Sequence, residues 1–290
     1  MASTRYNNDV DGNPTKKKGL PENLTSELTD VCRELRRDVI EMTYRANSGH
    51  PGGSLSEIEI LVALYFCVMS HDPTNPKWKN RDRFILSKGH ASPGLYAVLS
   101  KCGYFPHSEL FTYRQFESRI QGHAHPMTPG VEMNSGSLGQ GISFGVGSAL
   151  SSRITGIPFS VYVLVGDGEC DEGQIWEAAM SASHYKLGNL TVVIDRNRIQ
   201  NDRFTSEAME IEPLDEKWKA FGWNVITVDG HDIQSIVKAV EEISGSPNQP
   251  TAIIANTVKG KGVSFMENNP DFHGRAPNDV EYKNALRELD

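Results

Sequence analysis

The second half of the chain alternates short β-branched runs with helical patterns, and this alternation limits the fold more than any other feature. Val161–Val165, Thr191–Asp195, Val225–Val228 and Ala252–Asn256 read as strands, and helical periods fall at about 172–186, 214–221 and 232–244. Apolar runs without polar alternation, each followed by a helix, belong to a parallel sheet buried on both faces. Arg83–Leu86 adds a fifth short run of the same kind. We therefore expect an α/β fold, a single domain with a mostly parallel, about five-stranded sheet covered by helices on both faces.

The first half is helical and punctuated. Leu28, Val31, Cys32, Leu35, Val39 and Met42 recur at helical spacing from about Ser26 to Ala46, and the pattern stops at the breakers Asn47-Ser48-Gly49-His50-Pro51-Gly52-Gly53. A second helix, Leu55 to Met69, is apolar nearly all round and should be buried. Another is expected from Pro93 to Lys101, stopped by Gly103. Residues 104–135 read as a long loop with a short helix near 108–116, and loops of that length in a compact domain usually serve function. Gly139 to Ser152 is a helix rich in small residues, which implies close backbone approach. Residues 1–22 are polar and read as a mobile N-terminal arm, with Lys16–Lys18 as solvated charges, leaving 23–290 as the domain.

Charge and cysteine usage narrow the function classes. Twenty-nine basic residues against 37 acidic give a net charge of −8, so no nucleic acid is expected as the main partner. The longest apolar run, Ile60 to Met69, is too short to span a bilayer, and the polar N-terminus has no apolar stretch of a signal peptide, so no membrane is expected. Cys32, Cys67, Cys102 and Cys170 are scattered with no CxxC pair, which suits free thiols and a cytoplasmic protein. Cys170 reads as a small filler.

One strand end carries a chemical motif. Val161–Val165 runs into Gly166-Asp167-Gly168, and the next strand ends in Arg196-Asn197-Arg198-Ile199. Ligands of open α/β sheets sit at the carboxyl ends of strands. Asn197 lies 31 positions after Gly166, the length of one strand–helix–strand unit, so the two tips should be neighbours. A carboxylate, an amide oxygen and a backbone carbonyl there would supply three hard ligands for octahedral Mg²⁺, with a diphosphate adding two and water one. Alone, such a segment would be a turn with favourable Gly chemistry. Competing phosphate motifs fail: no Gly stands at 171, and Gly260-Lys261 is followed by Gly262.

The flanking text carries a resemblance. SGHPGGSLS at 48–56, DRFILSKGHA at 82–91, GSLGQGIS at 136–143, GDGECDEGQIWEA at 166–178 and KGKGVSFME with HGRAP between 259 and 277 resemble transketolase, and within it the thiamin diphosphate (ThDP) domain that grips the diphosphate. The resemblance covers about residues 25–277. It implies ThDP as cofactor with Mg²⁺, for which Ca²⁺ or Mn²⁺ can substitute. It implies metal binding by Asp167, Asn197 and the carbonyl of Ile199. Gly166, Gly168, Glu169, Lys88 and Lys259 match cofactor-binding positions, and Gly136 and Leu138 match the loop touching the aminopyrimidine. His50, His90, His123 and His273 match the histidines lining the catalytic centre, with His90 and His273 also at the cofactor, and Glu172 and Glu177 match interface residues.

The residues agree in kind, since each of those histidines neighbours Gly or Pro in a breaker-rich loop, where imidazole can bond sugar hydroxyls and move protons. His123-Ala124-His125 also admits a zinc reading, without partner ligands at motif spacing; His125 has no assigned role. The chain ends at Asp290, soon after HGRAP, so the resemblance implies the N-terminal subunit of a split transketolase. A separate C-terminal subunit would supply the pyrimidine-binding and C-terminal domains, in an α2β2 heterotetramer. The implied reaction is reversible transfer of a two-carbon ketol unit from a ketose phosphate to an aldose phosphate. Alternatives are a subunit of a 2-oxoacid dehydrogenase or deoxyxylulose-phosphate synthase, a transketolase-like enzyme for an unusual ketose, or a non-catalytic subunit that holds cofactor.

Overall fold

The computed structural model describes residues 20–290 apart from residue 202 and residues 244–246. Residues 1–19, with the lysines at 16–18, therefore lie outside the described residues. Five strands form one sheet: β1 Arg83–Leu86, β2 Val161–Gly166, β3 Leu190–Arg196, β6 Asn224–Asp229 and β7 Thr251–Asn256. Their order is β1-β2-β3-β7-β6, and every neighbouring pair is parallel. Strand side chains alternate between two apolar layers. Phe84, Leu86, Leu164, Val193 and Ile253 meet α1 (Glu22–Ala46), α3 (Ile58–Val62), α4 (Ser92–Cys102) and α9 (Ile233–Glu242). Ile85, Val163, Val165, Val192 and Ile254 meet α5 (Gln140–Thr155), α6 (Gly173–His184) and α8 (Leu214–Ala220). The expected α/β architecture, parallel and covered on both faces, is the one observed.

Boundaries differ from the expected ones where a polar contact or cap decides them. Helix α1 begins at Glu22, one turn before Ser26, and ends at Asn47, whose φ of 46° closes the last turn on the carbonyls of Thr43 and Tyr44. Leu20, within the expected arm, is packed into the core. The expected helix Leu55–Met69 is broken into α2 (Pro51–Ser56), α3 and a π-helical turn, Ala63–Val68. The break falls at Glu57, which leaves the helical register to send its carboxylate under the sheet. A small hairpin, β4 Ile199–Gln200 with β5 Arg203–Phe204, then α7 (Thr205–Ala208), and a C-terminal helix α10 (Asp279–Glu288) were not expected. Two-residue strands are too short to show a period, and α10 is mostly polar; it packs on α1, where Arg37 donates to the carbonyl of Leu286 at 3.1 Å.

The small-residue helix α5 lies directly on β2, as its composition implies. A methyl group on Gly145 would stand 2.6 Å from Cγ2 of Val163, which is fully buried. Gly145→Ala should therefore force the helix off the sheet and lower stability by about 1–3 kcal/mol. Urea unfolding followed by circular dichroism reads this directly; a midpoint equal to wild type would contradict the close packing.

Candidate active site

Four neighbouring strand tips feed one site. Register places Leu86 beside Leu164, Gly166 beside Asp195, and Arg196 beside Asn256. The residues just past those tips, Ser87-Lys88-Gly89-His90, Asp167, Asn197 and Thr257-Val258-Lys259, are thereby brought together along the carboxyl edge of the sheet. The sequence distance from Gly166 to Asn197 becomes adjacency because β2 and β3 are parallel neighbours.

Beneath this edge lies a buried ionic centre. The Lys88 ammonium contacts Glu57 Oε2 at 2.7 Å, Asp195 Oδ2 at 2.7 Å and the carbonyl of Gly53 at 2.8 Å. Asp195 Oδ2 also accepts from Ser56 Oγ at 2.6 Å and Asn197 Nδ2 at 3.1 Å, and Thr257 Oγ1 donates to Oδ1. These bonds hold Asp195 below the usual carboxylate range despite its burial, whereas burial pushes Glu57 up to about 8. At neutral pH the centre is thus a Lys⁺–Asp⁻ pair beside a protonated Glu57. Lys88, expected at the cofactor, donates to the Gly53 carbonyl and to Asp195 and lies in ion contact with Glu57 at the base of the site.

Above it sit the oxygen donors. Asp167 is 2% exposed, and its carboxylate accepts only backbone N–H groups, from Gly168 at 2.8 Å and from Arg198. Burial and the charge of Asp195 push it up to about 7. Asn197 spends its amide N–H on Asp195, leaving Oδ1 as acceptor to the Ile199 N–H at 3.1 Å. The carbonyl of Ile199 receives Lys259 Nζ at 3.1 Å. A buried carboxylate with no cationic group bonded to it, beside an amide oxygen and a carbonyl, is chemistry that fits a hard divalent cation. A Cβ on Gly168 would stand 2.7 Å from the side chain of Gln200, so only glycine leaves that loop backbone bare for a diphosphate. Among the described residues no three His, Cys, Asp or Glu side chains gather as a metal set, and the fit rests on this mixed oxygen set alone.

The four predicted histidines converge from four separate segments. His50 precedes Pro51 at the start of α2, His90 lies in the 3₁₀ turn Gly89–Ala91, His123 in the long loop, and His273 just after the turn Pro270–Phe272. Ring centres are 5.0 Å apart for His50 and His90, 5.3 Å for His50 and His273, 5.0 Å for His90 and His273, and 6.2 Å for His50 and His123. Burial lowers all four below the ordinary imidazole value, His50 to about 4 and His273 to about 3, so they are neutral at pH 7. Lys259, itself lowered to about 8 by burial, donates to His273 Nδ1 at 2.8 Å. That bond leaves the His273 proton on Nε2, a donor. His50 Nδ1 is buried without a hydrogen-bond partner among the described residues.

The remaining predicted residues divide. Glu169 is buried and bonds Gly166 N–H at 3.0 Å, Gly139 N–H at 2.8 Å and Ser87 Oγ, so it ties three loops together with both oxygens occupied. Gly136 lies against His123, and Leu138 follows half-buried. Glu172 and Glu177 are exposed at the start of α6. Cys170 is buried behind the motif, its thiol pushed well up by burial, as befits a filler. His125 Nδ1 accepts the Met127 N–H at 3.1 Å, a turn-forming bond. Sequence reasoning missed Glu57 and Asp195, which have no motif of their own, and Ser56, which only closes the segment quoted at 48–56. It also missed His231. That residue accepts the Val258 N–H on Nε2 at 2.8 Å and meets Glu59 Oε2 at 2.9 Å through Nδ1, steadying the loop that carries Lys259. The Gly-His-Asp segment ending β6 was the available signal.

Two outcomes follow from this electrostatics. Lys88→Met should destabilise the chain by about 3–5 kcal/mol, because it strands Asp195 in the interior, whereas Glu57→Gln should change stability by less than about 1 kcal/mol. Equal losses in chemical denaturation of the two variants would refute the protonated state of Glu57. His50, labelled with ¹³C, should titrate near pH 4 in NMR rather than at its usual 6.5. Because its folded value is depressed, its contribution to stability is present above pH 6.5 and is lost as pH falls towards 4. A midpoint near 6.5 would place the ring in water.

Comparison with known proteins agrees with this geometry. The family model "Transketolase, thiamine diphosphate binding domain" matches residues 25–289. The chain is 44% identical over 265 residues to the 6-deoxy-6-sulfo-D-fructose transketolase subunit SqwG of Clostridium sp. (strain MSTE9), covering 91% of this chain and 96% of that protein. It is 43% identical over 273 residues to an apulose-4-phosphate transketolase subunit of Actinobacillus succinogenes, covering 93% and 98%. Among solved structures, transketolase from Pichia stipitis in complex with sedoheptulose-7-phosphate superposes with a TM-score of 0.86 at 32% identity, over 91% of this chain and 41% of that one. The chain thus spans about two fifths of the length of that solved transketolase. The parallel sheet, the strand-tip motif and these matches together establish that the chain belongs to the transketolase thiamine diphosphate-binding domain family.

Proposed function

We propose that this chain is the N-terminal subunit of a two-chain transketolase, which moves a two-carbon ketol unit between sugars and is active only with its partner. The observation that supports it most directly is the convergence of four neutral histidines over a buried Asp167–Asn197–Ile199 oxygen set. Family membership and full-length likeness to two proteins named as transketolase subunits support it further.

In this reading Asp167, Asn197 and the Ile199 carbonyl hold Mg²⁺, Gly166 and Gly168 present backbone to the diphosphate, and Lys259 bonds a diphosphate oxygen. Gly136 and Leu138 touch the aminopyrimidine. Bound ThDP supplies the electron sink for breaking the carbon–carbon bond beside a ketose carbonyl. The chain's own task is to orient the sugar and handle its protons. His273 offers an Nε2–H donor, while neutral His50 and His90 can accept a hydroxyl proton or give one back. Glu172 and Glu177, exposed beside the GDG loop, would meet the partner, which carries the pyrimidine side of the site. The assembly would be an α2β2 heterotetramer working in the cytoplasm on sugar phosphates or chemically similar sugars. The described residues contain no helix long and apolar enough to cross a membrane.

Reconstitution tests the proposal. The chain alone should transfer little or no ketol unit from a ketose phosphate to an aldose phosphate, and activity should appear on adding the partner chain, ThDP and Mg²⁺. Asp167→Ala should weaken ThDP binding in calorimetry by more than the roughly 10–100-fold seen on losing an outer-shell metal partner, with an unchanged circular dichroism spectrum. Tight ThDP binding by that variant, or decarboxylation of a 2-oxoacid in place of ketol transfer, would defeat the assignment.

A further inference from the structure

The long loop that carries His123 also brings an arginine beside it. Arg114 sits at a φ of 60°, the left-handed region that non-glycine residues rarely adopt. Its own N–H closes the turn on the Ile120 carbonyl at 2.8 Å, so the loop holds this backbone in place. The guanidinium donates from Nη1 to Ser48 Oγ at 3.1 Å and from Nε to Tyr113 Oη at 3.3 Å, both neutral hydroxyls. Nη2 lies against Gly122, the residue before His123, so closely that a methyl there would stand 2.5 Å away. The group is therefore pinned between the segment leading to His50 and the one leading to His123. With Gln121, His123, His125, Asn134 and Ser135 it lines an open cleft of about 490 Å³.

The charges around it explain what such a group can do. Lys88 is matched by Asp195, and Lys259 bonds the Ile199 carbonyl and His273 within reach of the charge of Asp167. Burial, and secondarily the charge of Arg114, keep His50 and His123 neutral. It is a fork-shaped cation at the rim, and its hydrogen bonds to neutral hydroxyls leave its charge available. A guanidinium fork matches the oxygens of phosphate and sulfonate better than it matches sugar hydroxyls.

We propose that Arg114 recognises the anionic end group of the sugar, a phosphate or a sulfonate, so that this chain and not only its partner reads substrate charge. The inference rests on the ketol-transfer reading and deepens it by giving the substrate class a recognition residue.

The test compares Arg114→Gln with wild type, each in complex with the partner chain, on three donors: D-fructose 6-phosphate, 6-deoxy-6-sulfo-D-fructose and uncharged L-erythrulose. For whichever charged donor is used, the variant should raise KM about tenfold or more with kcat little changed, the effect of losing a charge-assisted hydrogen bond. Its kcat/KM with L-erythrulose should move less than about twofold, and Arg114→Lys should recover part of the lost affinity. The charged donor with the lower wild-type KM tells phosphate from sulfonate. Equal changes on charged and uncharged donors, as a salt bridge to the partner chain would give, or no change on any, would overturn the proposal. A second measurement is independent of turnover. Inorganic phosphate titrated into the full chain should shift the ¹³C-histidine signal of His123 saturably, and Arg114→Gln and Gly122→Ala should abolish the shift. If the wild-type complex transfers no ketol unit, the functional reading fails by itself. A phosphate shift lost in the variants would then still uphold the anion site, and no shift in wild type would remove it.

Discussion

The site depends on one buried lysine. Lys88 is 3% exposed and joins three segments that are far apart in sequence: the α2–α3 break through Glu57, the tip of β1 through its own backbone, and the tip of β3 through Asp195. A lone ammonium or carboxylate in the interior would carry a penalty of several kcal/mol, so Lys88 and Asp195 are each tolerable only while the other is in place, and protonated Glu57 carries no such penalty. Asp195 then bonds Ser56, Asn197 and Thr257, and so fixes where the loops after β3 and β7 begin. The oxygen donors and the loops that carry the histidines are anchored by this charge centre.

The layers above that centre differ in electrical character. The histidine cluster is neutral because desolvation and neighbouring cations both oppose imidazolium. The oxygen set is short of a bonded counter-charge, since Asp167 is served only by backbone N–H groups. Lys259 lies between them, bonding the Ile199 carbonyl on one side and His273 on the other. A chain that is acidic overall thus builds, at one sheet edge, a neutral histidine cluster beside an oxygen set and a single lysine between them.

Much of the fold could be read from sequence because parallel strands buried on both faces have nowhere to hide a polar residue. The runs at 83–86, 161–165, 191–195, 225–228 and 252–256 all became strands of one sheet. The helix at 55–69 was read as continuous because its pattern is apolar throughout; a buried glutamate in an apolar run gives no period to mark the break. The four histidines were legible through their Gly and Pro neighbours, and the structure brings all four together. Lys88 was legible as a site residue, but its ion contacts with Glu57 and Asp195 were not, since a Lys before Gly-His reads the same whether or not a buried carboxylate lies beside it.

The sequence by itself determined the α/β class, the parallel sheet and the spacing that makes Asp167 and Asn197 neighbours, because these follow from local periodicity and from the length of one strand–helix–strand unit. Only the tertiary structure decided the strand order that lines up the tips of β1, β2, β3 and β7, the pairing of Lys88 with Glu57 and Asp195, and the approach of Arg114 to His123. Those are contacts between segments that the sequence alone does not bring together. Their energies come from desolvation and charge in a shared interior, which exists only once the sheet and its two helical layers have closed around it.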